Sequence, residues 1–259
     1  MVVKYGGNAM TDDATRHAVA SEIRALFDAG EDPVVVHGGG PFINAALDAA
    51  GLEHRFVRGL RVTTPDSLER IERVLTLLGK RLAQDIGPAL GLCGRDATLI
   101  RAELRDPALG RVGTVTDVNA DALHALLAAH FVPVLACLAV DAEGGLLNVN
   151  ADDVAGAVAG ALGAGCVFLT NVPGVLDDPS RADSLLPVLT RPEAQARIAD
   201  GRIAGGMIPK VEAALQAVGL GAPFAVIADG RSAAGARRGL HGEGGTRIVA
   251  DAVGAHARG

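Results

Sequence analysis

Lys4 falls at the end of a short strand-like run, and after Tyr5 come Gly6 and Gly7. Lysine offers phosphate a compact positive charge, and glycines let backbone N–H groups come close to a ligand. The GxxxxGK[ST] pattern of P-loops is absent. A second glycine run, His37-Gly38-Gly39-Gly40-Pro41, stands between an apolar run and a predicted helix. Free N–H groups and the helix dipole make such a place suitable for an anion. It is not the GxGxxG of dinucleotide sites. Lys210 falls in the first turns of another predicted helix, after Gly205-Gly206. Acidic residues are the usual choice there, which makes a cation notable. Asp152 also opens a helix and is read two ways, as its cap or as the carboxylate that orients a nearby lysine. Asn148 and Asn150 alternate along an extended segment, so both amides project to one side. Arg61, in the short loop Gly59–Thr63, is either a surface residue or a bidentate grip for a carboxylate. His37 is read as a hydrogen-bonded structural residue.

The elements that must hold these residues follow from periodicity. Strands are predicted at Val2–Tyr5, Val34–His37, Cys166–Thr170 and Phe224–Ala228, and Val132–Val140 reads as one long central strand. Helices are predicted over His17–Ala29, Pro41 to about Ala50, Asp152–Leu162, Arg191–Ala199 and Met207–Val218. The clearest helix starts at Thr64. Thr64 is a good N-cap, Pro65 suits the first turn, and Leu68, Ile71, Leu75, Leu78, Leu82 and Ile86 recur every three or four residues. Gly91 lies beyond the end of that run. Ala97–Val118 reads as a hairpin-rich excursion, Asp141–Gly145 as a turn, and the stretch from Gly230 as loop with one strand near Thr246–Val249. Strands alternating with helices predict an α/β domain around a largely parallel sheet.

Bulk properties narrow the partners. The chain has 259 residues and a formal charge of −6. That charge argues against a nucleic-acid backbone as the main partner, while local lysines still permit a small anionic ligand. Aromatic residues make up 3% of the chain, so its core must be aliphatic. Cys93, Cys137 and Cys166 lack metal-ligand spacing and read as free thiols in a reducing cytosol. No apolar stretch approaches the ~18 residues of a membrane span. A strand beginning at Val2 leaves no room for a signal peptide, and a cytoplasmic location is expected.

Taken together the motifs are more specific than any one of them. VVKYGGNAM at Val2–Met10, VVVHGGGPFIN at Val34–Asn44, GLRVTT at Gly59–Thr64, LNVNADD at Leu147–Asp153, LTNVPGVL at Leu169–Leu176, GGMIPKVEAA at Gly205–Ala214 and the Gly245-Thr246 pair follow in that order. The arrangement resembles the acetylglutamate kinase family, within the amino acid kinase superfamily, over essentially the whole chain.

The resemblance implies a single domain over residues 1–259, a three-layer α/β/α sandwich with a mainly parallel eight-stranded central sheet. An N-terminal half, to about residue 165, would bind the acyl amino acid, and the half from about 166 would bind ATP. By the same resemblance, Lys4 and Lys210 stabilise the migrating phosphoryl group and Asp152 organises them. Gly39 and Gly40 hold the reacting end of the substrate, and Arg61 and Asn148 bind the rest of N-acetyl-L-glutamate. Gly6 and Gly7 form the first phosphate loop. Asn171, Val172, Gly174, Val175 and Leu176 belong to the nucleotide segment, with Arg202, Ile203 and Ala204 near it. Mg²⁺ is expected on the phosphates, held mainly by them and by water. Two places depart from the family: Asn171 stands where aspartate is usual, and Arg237–Thr246 keeps little beyond its Gly-Thr pair. Relatives inhibited by arginine carry an N-terminal helical arm, and a first strand at Val2 therefore implies a homodimer that L-arginine does not inhibit. A kinase for N-acetyl-2-aminoadipate is the nearest alternative, since one methylene is worth only ~1–3 kcal/mol in a pocket. A non-catalytic ligand sensor on the same fold is a further, less favoured alternative; it could lose the catalytic cations, whereas Lys4, Lys210 and Asp152 are all present.

Overall fold

Aliphatic runs too short for helices become strands, and the amphipathic stretches between them become the helices that cover those strands. The computed structural model describes residues 1–6, 10–178, 180–181, 183–231 and 234–250. In chain order the first half contains β1 (Val2–Tyr5), α1 (Asp13–Asp28), β2 (Val34–His37), α2 (Gly40–Ala49), β3 (Phe56–Val57), β4 (Leu60–Arg61), α3 (Pro65–Ile86), β5 (Ala89–Leu92), β6 (Ile100–Leu104), β7 (Gly113–Val118) and α4 (Ala120–Ala128). The second half contains β8 (Val132–Ala136), β9 (Leu138–Val140), β10 (Leu146–Asn148), α5 (Ala151–Ala161), β11 (Cys166–Thr170), β12 (Val188–Thr190), α6 (Arg191–Ala199), α7 (Ile208–Gly219), β13 (Ala225–Asp229), α8 (Gly235–His241) and β14 (Thr246–Val249).

Eight strands form the central sheet in the order β12-β14-β13-β11-β1-β2-β8-β5. Only the β13–β14 pair is antiparallel. β1 lies inside the sheet, with Lys4 opposite Phe168 of β11 and Val36 of β2. Alternation along β1 sends Val2 to one face of the sheet, with the apolar sides of α5 and α7. It sends Val3 and Tyr5 to the other, with α1 and Ala236 of α8. Helices on both faces make the three layers. Each fully buried aliphatic side chain contributes about 1.5–3 kcal/mol. A second, four-stranded sheet (β10-β9-β6-β7) and the β3–β4 hairpin stand apart from the first. The hairpin turns through Arg58 at φ 50 and Gly59 at φ 79, the two positive angles of a tight turn that follows strand twist.

α3 has the predicted bounds and cap: Thr64 Oγ1 accepts from Ser67 N at 3.2 Å. Three expectations change. The run Val132–Val140 bends at Cys137, and its two parts belong to different sheets. Unbroken apolarity reports burial on both sides and not continuity of direction. α1 begins before His17, because Asp12 caps it through Thr15 N at 2.7 Å. Gly91 lies beyond the end of α3, as expected, in the edge strand β5, where a Cβ would come within 2.7 Å of the Gly79 backbone. The stretch after Gly230 contains a helix, α8, whose Arg237 N–H is received by Glu22 of α1 at 2.9 Å.

Candidate active site

Parallel strands all point their carboxyl ends to one edge of a sheet, and ligands bind outside that edge where connections diverge in opposite directions. Here β1 has β2 on one side and β11 on the other. A cavity of about 560 Å³ opens at their ends, lined by Lys4 of β1 and Gly6 after it, Gly38–Gly40 after β2 and Phe168–Asn171 of β11 and its exit. The first turns of α1, α2, α5 and α7 complete the wall with Thr15, Gly40, Asp152 and Lys210. Several helix N-termini around one space provide unpaired N–H groups and positive dipole ends, an environment for anions.

The polar centre of this wall is an ion pair. Lys4 Nζ lies 2.9 Å from Asp152 Oδ1, with both side chains partly exposed. Asn150, not Asp152, caps α5, its Oδ1 accepting from Asp152 N at 2.7 Å. The Asp152 carboxylate is thereby left for the lysine. Lys210 lines the same cavity and donates from Nζ to Gly206 O at 3.0 Å, across the start of its own helix. Gly39 has no room for a side chain: a Cβ would lie 2.8 Å from Leu75 and 2.9 Å from Leu78 of α3. Gly40 faces open space. His37 is fully buried behind this loop, and Nδ1 lies 3.1 Å from Gly38 O. Burial lowers its pKa to about 4, so the ring is neutral and structural. Gly7 lies outside the described residues.

Arg61 and Asn148 do not line this cavity. They are joined to each other through Thr63, whose Oγ1 accepts from Asn148 Nδ2 at 3.1 Å and donates to Arg61 O at 3.0 Å. A second space of about 530 Å³ is lined by Leu60 and Asn150, near Arg61 and Asn148 in the chain but not those two residues themselves, and by Asp152, Pro209 and Ala213. The last three residues line both spaces, which therefore meet at Asp152. Arg61 is 8% exposed, and burial lowers its pKa. Its Nη2 donates to Asn44 Oδ1, and its Nη1 is buried with no protein acceptor. A buried donor of this kind costs stability until an acceptor reaches it.

Of the nucleotide segment, Asn171 lines the first cavity while Gly174, Val175 and Leu176 do not. Val175 N donates to Thr246 Oγ1 at 2.8 Å, and Leu176 bridges to Leu185. Gly174 has φ 148, and a Cβ there would meet Thr246 Oγ1 at 2.7 Å. Val172 N donates to Thr170 Oγ1 at 3.2 Å. Arg202 pairs with Asp200 at 2.6 Å and approaches Asp177 at 3.7 Å, Ile203 is buried, and Ala204 is exposed. None of these last three lines the cavity. Asp12, Thr15 and Arg231 line it without having been singled out in the sequence. Asp12 could have been found as a helix cap; Arg231, paired with Asp229 at 2.9 Å, follows a strand and carries no motif.

Comparison with known proteins places this geometry among relatives. The profile of the amino acid kinase family matches residues 1–229. The acetylglutamate kinase of Deinococcus radiodurans is 56% identical over 250 residues, which cover 96% of this chain and 100% of that one. The acetylglutamate kinase of Thermus thermophilus is 48% identical, covering 95% and 96%. Among solved structures, smu.665 from Streptococcus mutans has a TM-score of 0.78 at 33% identity, covering 96% of this chain and 98% of that one. Carbamate kinase from Giardia shares the fold at a TM-score of 0.71 and 20% identity, over 96% and 98%.

Proposed function

The chain belongs to the amino acid kinase family, among its acetylglutamate kinases, and on that premise we propose that it transfers the γ-phosphoryl group of ATP to the side-chain carboxylate of N-acetyl-L-glutamate. The products are N-acetyl-L-glutamyl 5-phosphate and ADP, and the step belongs to arginine biosynthesis. The observation that carries the reading is the convergence of Lys4, its partner Asp152 and Lys210 on one cavity ringed by helix first turns.

The chemistry asks for those groups. A glutamate side chain has an ordinary pKa of about 4.3, so the nucleophile is ionised at neutral pH and needs no general base. The barrier is electrostatic, since one anion must approach another in line. Lys4 and Lys210 stabilise the negative charge spread over the transferring phosphoryl oxygens, and the N–H groups of the glycine loops add fixed dipoles. Asp152 holds the Lys4 ammonium in place. Arg61 and Asn148, which stand behind the wall of the adjoining space at Leu60 and Asn150, bind the α-carboxylate and acyl amide end, and Gly39 and Gly40, in the wall of the first cavity, hold the reacting carboxylate. ATP lies on the side of Asn171, with its phosphates toward Gly6.

Mg²⁺ accompanies the phosphates. It would be held mainly by phosphate oxygens and water, as Mg²⁺ commonly is beside transferring phosphates. The acyl amino acid belongs to the half up to about residue 165 and ATP to the half from about 166. We also infer a homodimer, the commonest closed symmetry of soluble chains, and a cytoplasmic enzyme. Among the described residues no helix is long and apolar enough to cross a membrane, and the three cysteines are buried free thiols.

Purified protein with Mg-ATP, N-acetyl-L-glutamate and hydroxylamine is expected to give an acyl hydroxamate in step with ADP. Folded protein that forms none at saturating substrates would overturn the assignment.

A further inference from the structure

The buried guanidinium of Arg61 is held from two sides, by a residue of α2 and by its cross-strand partner in the hairpin. Its Nη2 donates to Asn44 Oδ1, which projects from the second turn of α2. Its Cζ stands 4.6 Å from the centroid of the Phe56 ring, on the partner strand of the same hairpin. The ring face attracts the cation and closes one side of the guanidinium plane. The hydrogen bond consumes the other terminal nitrogen, and Nη1 is the buried nitrogen without a protein acceptor. An arginine on a two-residue strand at the end of a tight turn has many rotamers to choose from, and nothing on its own strand selects one.

We infer that Asn44 is a positioning residue for recognition of the substrate α-carboxylate: by engaging Nη2 it fixes the rotation of the Arg61 guanidinium and presents Nη1 to that carboxylate. The inference rests on the reading of Arg61 given above and adds the residue that makes it selective. α2 begins at Gly40, in the glycine run that holds the reacting end of the substrate. One helix then sets both ends of the acyl amino acid, the reacting end through its first turn and the α-carboxylate end through Asn44. A neutral amide suits the task. It accepts one hydrogen bond and leaves the positive charge of the guanidinium available, where a carboxylate at this position would cancel that charge.

The experiment compares N-acetyl-L-glutamate with 4-acetamidobutyrate, the same acyl amino acid without its α-carboxylate, in wild type, Asn44→Ala and Asn44→Asp. Wild-type turnover of N-acetyl-L-glutamate is read first; its absence overturns the assigned reaction itself, and with it the basis of the inference. With turnover established, Asn44→Ala is expected to raise KM for N-acetyl-L-glutamate about tenfold, the effect of losing a hydrogen bond to a charged group. Its kcat stays within about threefold, KM for ATP is unmoved, and kcat/KM for 4-acetamidobutyrate is unmoved, so the preference for the α-carboxylate shrinks. Asn44→Asp keeps the geometry and neutralises the cation; it is expected to lower the preference at least as far. It also serves as the reading if the alanine variant fails to fold. An unchanged preference in whichever variant folds would overturn the inference. So would equal losses on both substrates, or a fall in kcat alone, since these mark a structural role for Asn44.

Discussion

Lys4 Nζ and Asp152 Oδ1, 2.9 Å apart, tie the end of a strand inside the sheet to the first turn of the helix that packs beside it. Lys4 → Ala removes a cation whose value is greatest when charge spreads in the transition state, so kcat should fall at least about a thousandfold with a far smaller change in KM for either substrate. Lys210→Ala should do the same. Asp152→Asn leaves both lysines but loosens Lys4, and its kcat should fall by a smaller factor than in either lysine variant. Initial rates at varied ATP and acyl amino acid separate kcat from KM, and a Lys210→Ala enzyme with wild-type kcat would remove that residue from the mechanism.

His37 should mark the acid limb of stability. Burial lowers its pKa from the ordinary 6.5 to about 4, so the unfolded chain binds a proton that the folded chain refuses. The stabilisation is complete above pH 6.5 and is lost as pH falls from 6.5 toward 4, by about 3 kcal/mol in all. Urea unfolding at pH 7, 5.5 and 4.5, compared with His37→Gln, isolates this contribution from that of the carboxylates. Parallel pH slopes for the two proteins would show that His37 does not titrate in this way.

Thr246 should act on the nucleotide from a distance. It is fully buried, receives Val175 N–H at 2.8 Å and donates to Leu186 O at 2.7 Å. Thr246→Val keeps the shape and leaves both backbone groups without their partner, at a cost of about 1–3 kcal/mol in thermal or urea unfolding. Because Val175 lies in the segment that Asn171 begins, KM for ATP should rise severalfold while KM for the acyl amino acid is unmoved. Equal changes in the two KM values would argue against this route.

What could be read in the sequence was whatever is local or periodic. The cap and leucine spacing of α3 are properties of consecutive residues, and they fold as the pattern predicts. The glycine runs, Lys4, Asp152 and Lys210 mark strand and helix ends, and the fold brings those ends to one edge. What could not be read depends on distant partners. α8 is short, and Glu22, a residue from α1, receives a backbone N–H in its first turn, so its own sequence carries little helical signal. The bend at Cys137 is invisible because both sides of it are equally buried. Asn44 and Thr63 stood inside recognised motifs, yet their bonds to Arg61 and Asn148 exist only once α2, β4 and β10 are assembled.

The place of β1 inside the central sheet also sets the order in which the enzyme can come into being. Its pairing with β2 is available early in synthesis, since Val2 opposes Val34. Its other edge waits for Cys166–Leu169, and Asp152 and Lys210 are themselves far along the chain. Until β11 is made, a growing chain holds one open edge of β1, the kind of edge that invites pairing with another molecule. Non-local parallel pairing is slow because loop closure precedes its reward. In refolding from denaturant, where β11 is present from the start, helical signal is therefore expected to return ahead of catalysis, which waits for the distant strands to close on β1.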